Sequence, residues 1–228
     1  MCANYVPTQG QIWKGRVPFP NAIWKAETYP GYDAPFIRLA LAEGLEGSLG
    51  RFGLVPWWTK PEQVKGSSRY TYNARSETVA SKPSFRDPWK RRQYCVIPAE
   101  AIYEPRYDSG KPVRWRIERA DREPMLIAGI WESWTPKDLP GAEPVNSFAM
   151  LTINADGHEL MRHFHAPQDE KRMVVMLEES EVQPWLEATP KDAPAFFKPC
   201  PAELLTAKPE PRGAVKRDAG PSTGDLPV

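Results

Sequence analysis

The sequence predicts an α+β fold: a single domain built on a mostly antiparallel, barrel-like β-sheet with short helices. Two observations carry that prediction. The 26 prolines among 228 residues work against long helices, because proline lacks an N–H donor and clashes with the preceding turn. Short runs rich in Val, Ile, Tyr and Trp recur along the chain, most of them bounded by Pro, Gly, Asn or Asp, which is the pattern of strands.

Taken in order, Arg38 to Glu46 reads as a short helix. Strands are expected at Gln93 to Ile97, Arg114 to Ile117, Pro124 to Ile130, Phe148 to Ile153 and Arg172 to Leu177. Asp156 to His163 reads as a second helix, opened by the Asn-Ala-Asp-Gly turn. Ser180 is placed to cap a third through Glu187, with Val182, Trp185 and Leu186 near helical spacing. Residues from Lys208 onward are rich in Pro, Gly and charge with little to bury. The expected division is therefore a folded domain over 1–207 and a disordered tail over 208–228.

Composition narrows the function. Hydrophobic residues make up 41% and charged residues 26%, as in ordinary globular proteins. A net charge of +1 cannot steer nucleic acid through the whole-molecule field, so binding needs a local patch. One such patch is Lys82, Arg86, Lys90, Arg91 and Arg92, opposed only by Asp87. If it binds phosphates, neutralising Arg91 and Arg92 weakens binding and flattens its salt dependence. Three widely spaced cysteines, Cys2, Cys95 and Cys200, argue against a disulfide framework and for a reducing compartment. Neither a signal peptide nor a membrane-length apolar run is visible. The expectation is a soluble cytoplasmic protein, nucleoid-associated if bacterial, with no membrane partner and nothing that demands more than a monomer.

The residues that can carry chemistry begin at Met1-Cys2. Removal of Met1 would leave a terminal cysteine bearing an amine (pKa about 7.7–8.0) and a thiol (about 8.5), both partly available near neutrality. A 1,2-aminothiol condenses with an aldehyde to a Schiff base, which the thiol then closes to a thiazolidine. Asn73 and Arg75 alternate with Ala74 as on one face of an extended segment. An amide can orient a bound aldehyde or sugar, and a guanidinium can clamp a phosphate.

Cys95 to Pro105 reads as an apolar strand that passes through Pro98 and ends at Glu104. A poorly solvated Glu104 suits proton transfer during carbinolamine dehydration. Cys95 itself reads as a buried, inert thiol. His158, His163 and His165 cluster in sequence, but they lack the spacing of a zinc site, so neither a metal nor a cofactor is expected. Trp57 and Trp58 end an apolar run and offer π-faces for unstacked bases.

Together these motifs resemble the SOS-response-associated peptidase (SRAP) family of abasic-site processing proteins. The resemblance runs from Cys2 to Leu177 through Tyr32-Asp33-Ala34-Pro35, Phe52 to Trp58, Asn73 to Thr78 and Cys95 to Glu104. It implies a covalent thiazolidine between Cys2 and the aldehyde of an abasic site in single-stranded DNA. Asn73 would hold the sugar or the amine, Arg75 a phosphate, Glu104 the transferred protons, and His165, with His163 as the alternative, would assist ring opening and reversal. Pro35 and Trp58 would wedge or stack against bases beside the lesion; the residues alone add Trp57 as a second stacking face and the basic Arg91-Arg92 pair as phosphate contacts. Two other readings of the residues stand beside it: an N-terminal-cysteine hydrolase or peptidase, and a non-covalent single-strand binding module. The chain departs from the family pattern at Ala3-Asn4, where Gly-Arg is usual, and at Ala166 to Lys171, which separate the histidines from Arg172.

Overall fold

A computed structural model describes residues 2–9, 17, 22–136 and 141–212. The chain runs β1 (Tyr5–Pro7), β2 (Asp33–Leu39), β3 (Leu45–Phe52), α1 (Val64–Thr71), β4 (Asn73–Arg75), α2 (Pro83–Lys90), β5 (Tyr94–Arg106), β6 (Val113–Arg119), β7 (Met125–Trp134), β8 (Val145–Asn154), β9 (Arg172–Val174), β10 (Met176–Leu177), α3 (Val182–Glu187) and β11 (Leu205–Pro209). All eleven strands belong to one mixed sheet. Neighbouring strands are antiparallel except where β8 pairs with β3 and β4.

The sheet curls on itself. The path β7-β8-β3-β2-β5 returns to β7, closed between β2 and β5 by the single pair Ile37 opposite Val96. The expected α+β domain with a curled sheet is therefore found, as a ring with both parallel and antiparallel pairs. Its wall strands β5, β7 and β8 are buried on both faces, which is why they read as near-continuous apolar runs. Outside the ring, Trp185 of α3 stacks on Tyr94 at 4.6 Å between ring centroids and donates its indole N–H to the Cys95 carbonyl at 2.9 Å. Cys95 is fully buried and its thiol is pushed up by that burial, as expected.

Several expectations need correction. Arg38–Glu46 is the β2–β3 hairpin, not a helix: Arg38 pairs with Glu46 across the ladder, and Gly44 at φ +83° turns the loop. Sheet pairing buries Phe36 and Ile37 at no cost in backbone hydrogen bonds, which overrides the weak helical preference of this segment. In Asp156–His163 only Met161–His163 makes a 3-10 turn. Ser180 does not cap the third helix: it lies within a 3-10 turn, Glu179–Glu181, which Glu178 and Glu181 close in a reciprocal capping box and which leads into α3, itself without a side-chain cap. The run Arg172–Leu177 divides into β9, paired with β8, and β10, paired with β7.

The tail boundary also moves. Lys208 and Pro209 sit in β11 opposite Arg116 and Trp115, and Glu210 accepts a hydrogen bond from the Tyr103 hydroxyl at 2.7 Å. Residues 213–228 of the expected tail lie outside the described residues.

Gly53 links this frame to the site. It follows β3 at φ +110°, and a Cβ there would lie 2.5 Å from the Ser68 Cα of α1. Gly53→Ala is therefore expected to lower stability by about 3 kcal/mol, from overpacking and a disallowed backbone angle together. Urea unfolding with an unchanged m-value checks this.

Candidate active site

The N-terminal strand carries Cys2 to the end of β5. Tyr5 opposes Ile102 and Val6 opposes Ala101. The same direction continues beyond the strand, where the Tyr103 N–H donates to the Asn4 carbonyl at 2.9 Å. Asn4 is fixed laterally as well, donating to the Thr28 carbonyl at 3.2 Å and accepting from Arg114 at 2.9 Å. Cys2 is only 1% exposed. Burial pushes its thiol far above the ordinary cysteine range, and the nearby Glu104 carboxylate raises it further. The thiol is therefore neutral at physiological pH.

Asn73 reaches the same place from a different element. The short strand β4 lies parallel to β8, with Asn73 opposite Met150, and the buried Asn73 amide donates to the Cys2 carbonyl at 2.9 Å. Its Oδ1 is buried with no hydrogen-bond partner among the described residues. An orphaned buried acceptor costs free energy unless another group fills it. Tyr72, next in the chain, has its phenol pushed up by burial and then by Glu104 and Cys2.

Glu104 and His165 complete the group. Glu104 lies in β5 and is 3% exposed, and its Oε2 meets His165 Nε2 at 2.9 Å. His165 adopts a left-handed backbone at φ +66°, uncommon for any side-chain-bearing residue and a frequent mark of functional positions. That conformation is held by its N–H to the Pro105 carbonyl at 2.8 Å and by Lys171, whose ammonium bonds the His165 and Ala166 carbonyls. A thiol, an amide, a carboxyl and an imidazole from four separate segments thus meet at one end of β5.

The profile of the SOS response associated peptidase (SRAP) family matches residues 20–212 of this chain. The chain belongs to the SRAP family. Cys2 stands ahead of the matched residues. The SRAP chain is 32% identical over 168 residues to abasic site processing protein YoqW of Bacillus subtilis, covering 71% of this chain and 69% of that one. It is 28% identical over 135 residues to abasic site processing protein HMCES of Gallus gallus, covering 51% of this chain and 40% of that longer protein. A crystal structure of a Bordetella bronchiseptica protein superposes with a TM-score of 0.84 at 40% identity, covering 92% of this chain and 99% of that one.

The three histidines of this SRAP protein separate cleanly. His163 is exposed. His158 Nδ1 accepts the N–H groups of Leu160 and Met161, so its Nε2 carries the proton and donates to the Cys200 carbonyl at 2.9 Å. That ring is a turn-stabilising element. Only His165 meets the Glu104 carboxylate.

Other expected residues lie elsewhere or are engaged within the protein. Arg75 shares a strand face with Asn73 but points outward, pairing with Glu170 at 2.8 Å. Pro35 is buried within β2, so it has little surface to press against a base. Trp57 and Trp58 are half-exposed, edge to face at 5.6 Å, with the Trp57 N–H on Asp87. Arg91 is engaged by Glu132, and Arg92 binds the Glu187 and Ala188 carbonyls at the end of α3. Arg91 and Arg92 thus tie the end of α2 to β7 and to the end of α3, and the Arg92 contact is a helix-end interaction that the sequence could not distinguish from a phosphate site.

Sequence reasoning missed the support beneath Arg75. The buried Arg172 grips Glu77 through both oxygens at 2.9 and 3.1 Å and holds Glu170 at 2.7 Å, so Glu170 bridges Arg172 and Arg75. Glu77 lay within a recognised motif, but its partner is 95 residues away, and only the sheet brings them together.

Proposed function

We propose that this protein captures abasic sites in single-stranded DNA by forming a thiazolidine between Cys2 and the sugar aldehyde. Met1 is first removed by hydrolysis, freeing the Cys2 amine. The amine adds to the aldehyde carbon to give a carbinolamine. Glu104 protonates the departing hydroxyl, one water leaves, and the protonated imine forms with its N–H retained. The Cys2 sulfur then bonds to the iminium carbon while the thiol proton passes to the Glu104 carboxylate, which regains the proton that it gave to the departing water. Aldehyde and aminothiol combine with net loss of one water.

The observation that supports this reading most is the contact between Asn73 and Cys2 beside the Glu104–His165 pair. The unfilled Asn73 Oδ1 is placed to accept from the liberated amine or from the carbinolamine hydroxyl. The neutral thiol makes the amine the first nucleophile, and the adjacent carboxylate gives the thiol proton somewhere to go. His165 holds Glu104 and shares its proton, in both the forward and reverse directions.

The test is incubation with a single strand bearing one abasic site, followed by a denaturing gel. A retarded DNA band is expected, together with an intact protein mass that begins at Cys2. Binding without any adduct would favour a non-covalent single-strand module, and a retained Met1 would block the amine.

Arg75 is the candidate phosphate contact, competing for DNA with Glu170. Glu170→Gln is therefore expected to tighten single-strand binding about threefold at low salt, the scale of one exposed ion pair. Fluorescence anisotropy at two salt concentrations measures it.

A further inference from the structure

Tyr72 closes α1 and directly precedes Asn73 of β4. Its backbone is fixed, since its carbonyl accepts the Met150 N–H at 3.0 Å. Its ring is fixed as well, lying edge to face on Phe52 at 5.7 Å. Phe52 in turn stacks on Phe148 at 5.6 Å and meets Tyr5 edge to face at 5.2 Å. Tyr5 belongs to β1, the strand that follows Cys2. A wall of packed rings therefore sets the Tyr72 phenol beside the terminal residue.

The phenol faces the reacting groups. Tyr72 is half-buried, and besides burial the groups that act on its ionisation are Glu104 and Cys2. All three influences favour the neutral form, so the O–H is present at physiological pH. That hydroxyl makes no hydrogen bond among the described residues. Its neighbours are engaged: the Asn73 amide donates to the Cys2 carbonyl, the Cys2 thiol points at the Asn4 carbonyl at 3.7 Å, and Glu104 meets His165. A half-buried hydroxyl without a protein acceptor is available to an acceptor on a ligand.

We infer that the Tyr72 hydroxyl donates a hydrogen bond to the aldehyde oxygen of the abasic sugar and steadies the negative charge that gathers there as the Cys2 amine adds. The inference rests on the thiazolidine reading above. In the addition, the amine lone pair forms the N–C bond and the C=O π pair moves onto oxygen. The oxygen then takes the proton that the new ammonium centre gives up, and Tyr72 keeps its own. That oxygen must lie within reach of both the attacking residue and Glu104, which protonates it on departure, and the phenol faces the same pair. A fixed donor aimed at developing charge lowers the barrier without reorganising during the step. It complements the unfilled Asn73 Oδ1, which can accept from the amine but cannot donate to the oxygen.

Tyr72→Phe tests it, because it removes the hydroxyl and keeps the ring on Phe52. Single-turnover adduct formation by the full chain, on a single strand bearing one abasic site, is expected to slow about 10²-fold, the usual cost of losing one oxyanion donor. Affinity for a strand with a reduced, aldehyde-free abasic site, read by anisotropy, and the thermal midpoint should stay at wild-type values. The donor acts before the sulfur does. The same slowing should therefore appear in a Cys2→Ser background, where borohydride traps the imine, when Tyr72→Phe is added. A rate within threefold of wild type overturns the inference. So does a loss of affinity for the reduced strand as large as the loss of rate, which makes Tyr72 a packing or binding residue, and so does a trapped imine that forms undiminished. Each of these outcomes leaves the wild-type adduct in place and contradicts only the role of Tyr72. Absence of any adduct with the wild-type protein overturns the thiazolidine reading and this inference together.

Discussion

Cys2→Ala is expected to abolish the denaturation-resistant DNA adduct altogether, a loss limited only by the detection of the gel. The substitution removes the sulfur that closes the ring and leaves a terminal amine able to form only a reversible imine. Because Cys2 is buried and small, the fold loses little packing, and thermal unfolding separates a folded, inactive variant from an unfolded one. Cys2→Ser retains the amine and offers a hydroxyl in place of the thiol, so it should give at most a labile adduct that disappears on heating. A stable adduct at wild-type yield in either variant would place the chemistry on another nucleophile.

Glu104→Gln should slow adduct formation about 10²–10³-fold while leaving single-strand affinity nearly unchanged. The amide keeps the shape of the side chain and can still accept from His165 Nε2, but it cannot donate a proton to the carbinolamine hydroxyl or take one from the neutral Cys2 thiol. That factor is the usual contribution of one positioned acid–base group. Single-turnover rates with excess protein measure it, and anisotropy on the same variant checks binding. A rate within threefold of wild type would remove Glu104 from proton transfer.

The part of this arrangement legible in sequence is the part set by local pattern. Cys95 to Glu104 reads as a near-continuous apolar strand that carries a carboxylate near its end, and β5 runs through it. Asn73-Ala74-Arg75 reads as extended, and β4 is extended. Helix α1 escaped notice because Val64–Thr71 is mostly polar, with one glycine and two serines. It forms because Ser68 packs into the gap beside Gly53, a tertiary contact that overrides poor propensity.

The basic run shows the opposite failure. Its sequence suggested phosphate contacts, yet Arg91 and Arg92 meet protein acceptors 41 and about 95 residues away. Likewise, the choice among three histidines turns on a single left-handed residue whose N–H pairs with the end of β5. No periodicity encodes such long-range partners.

Peptide mass spectrometry of the nuclease-trimmed adduct tests the central claim most directly. A first peptide beginning at Cys2, carrying the sugar remnant minus one water and stable without borohydride, is the predicted result. A remnant mapped to a lysine, or one that survives only after borohydride reduction, would contradict the account.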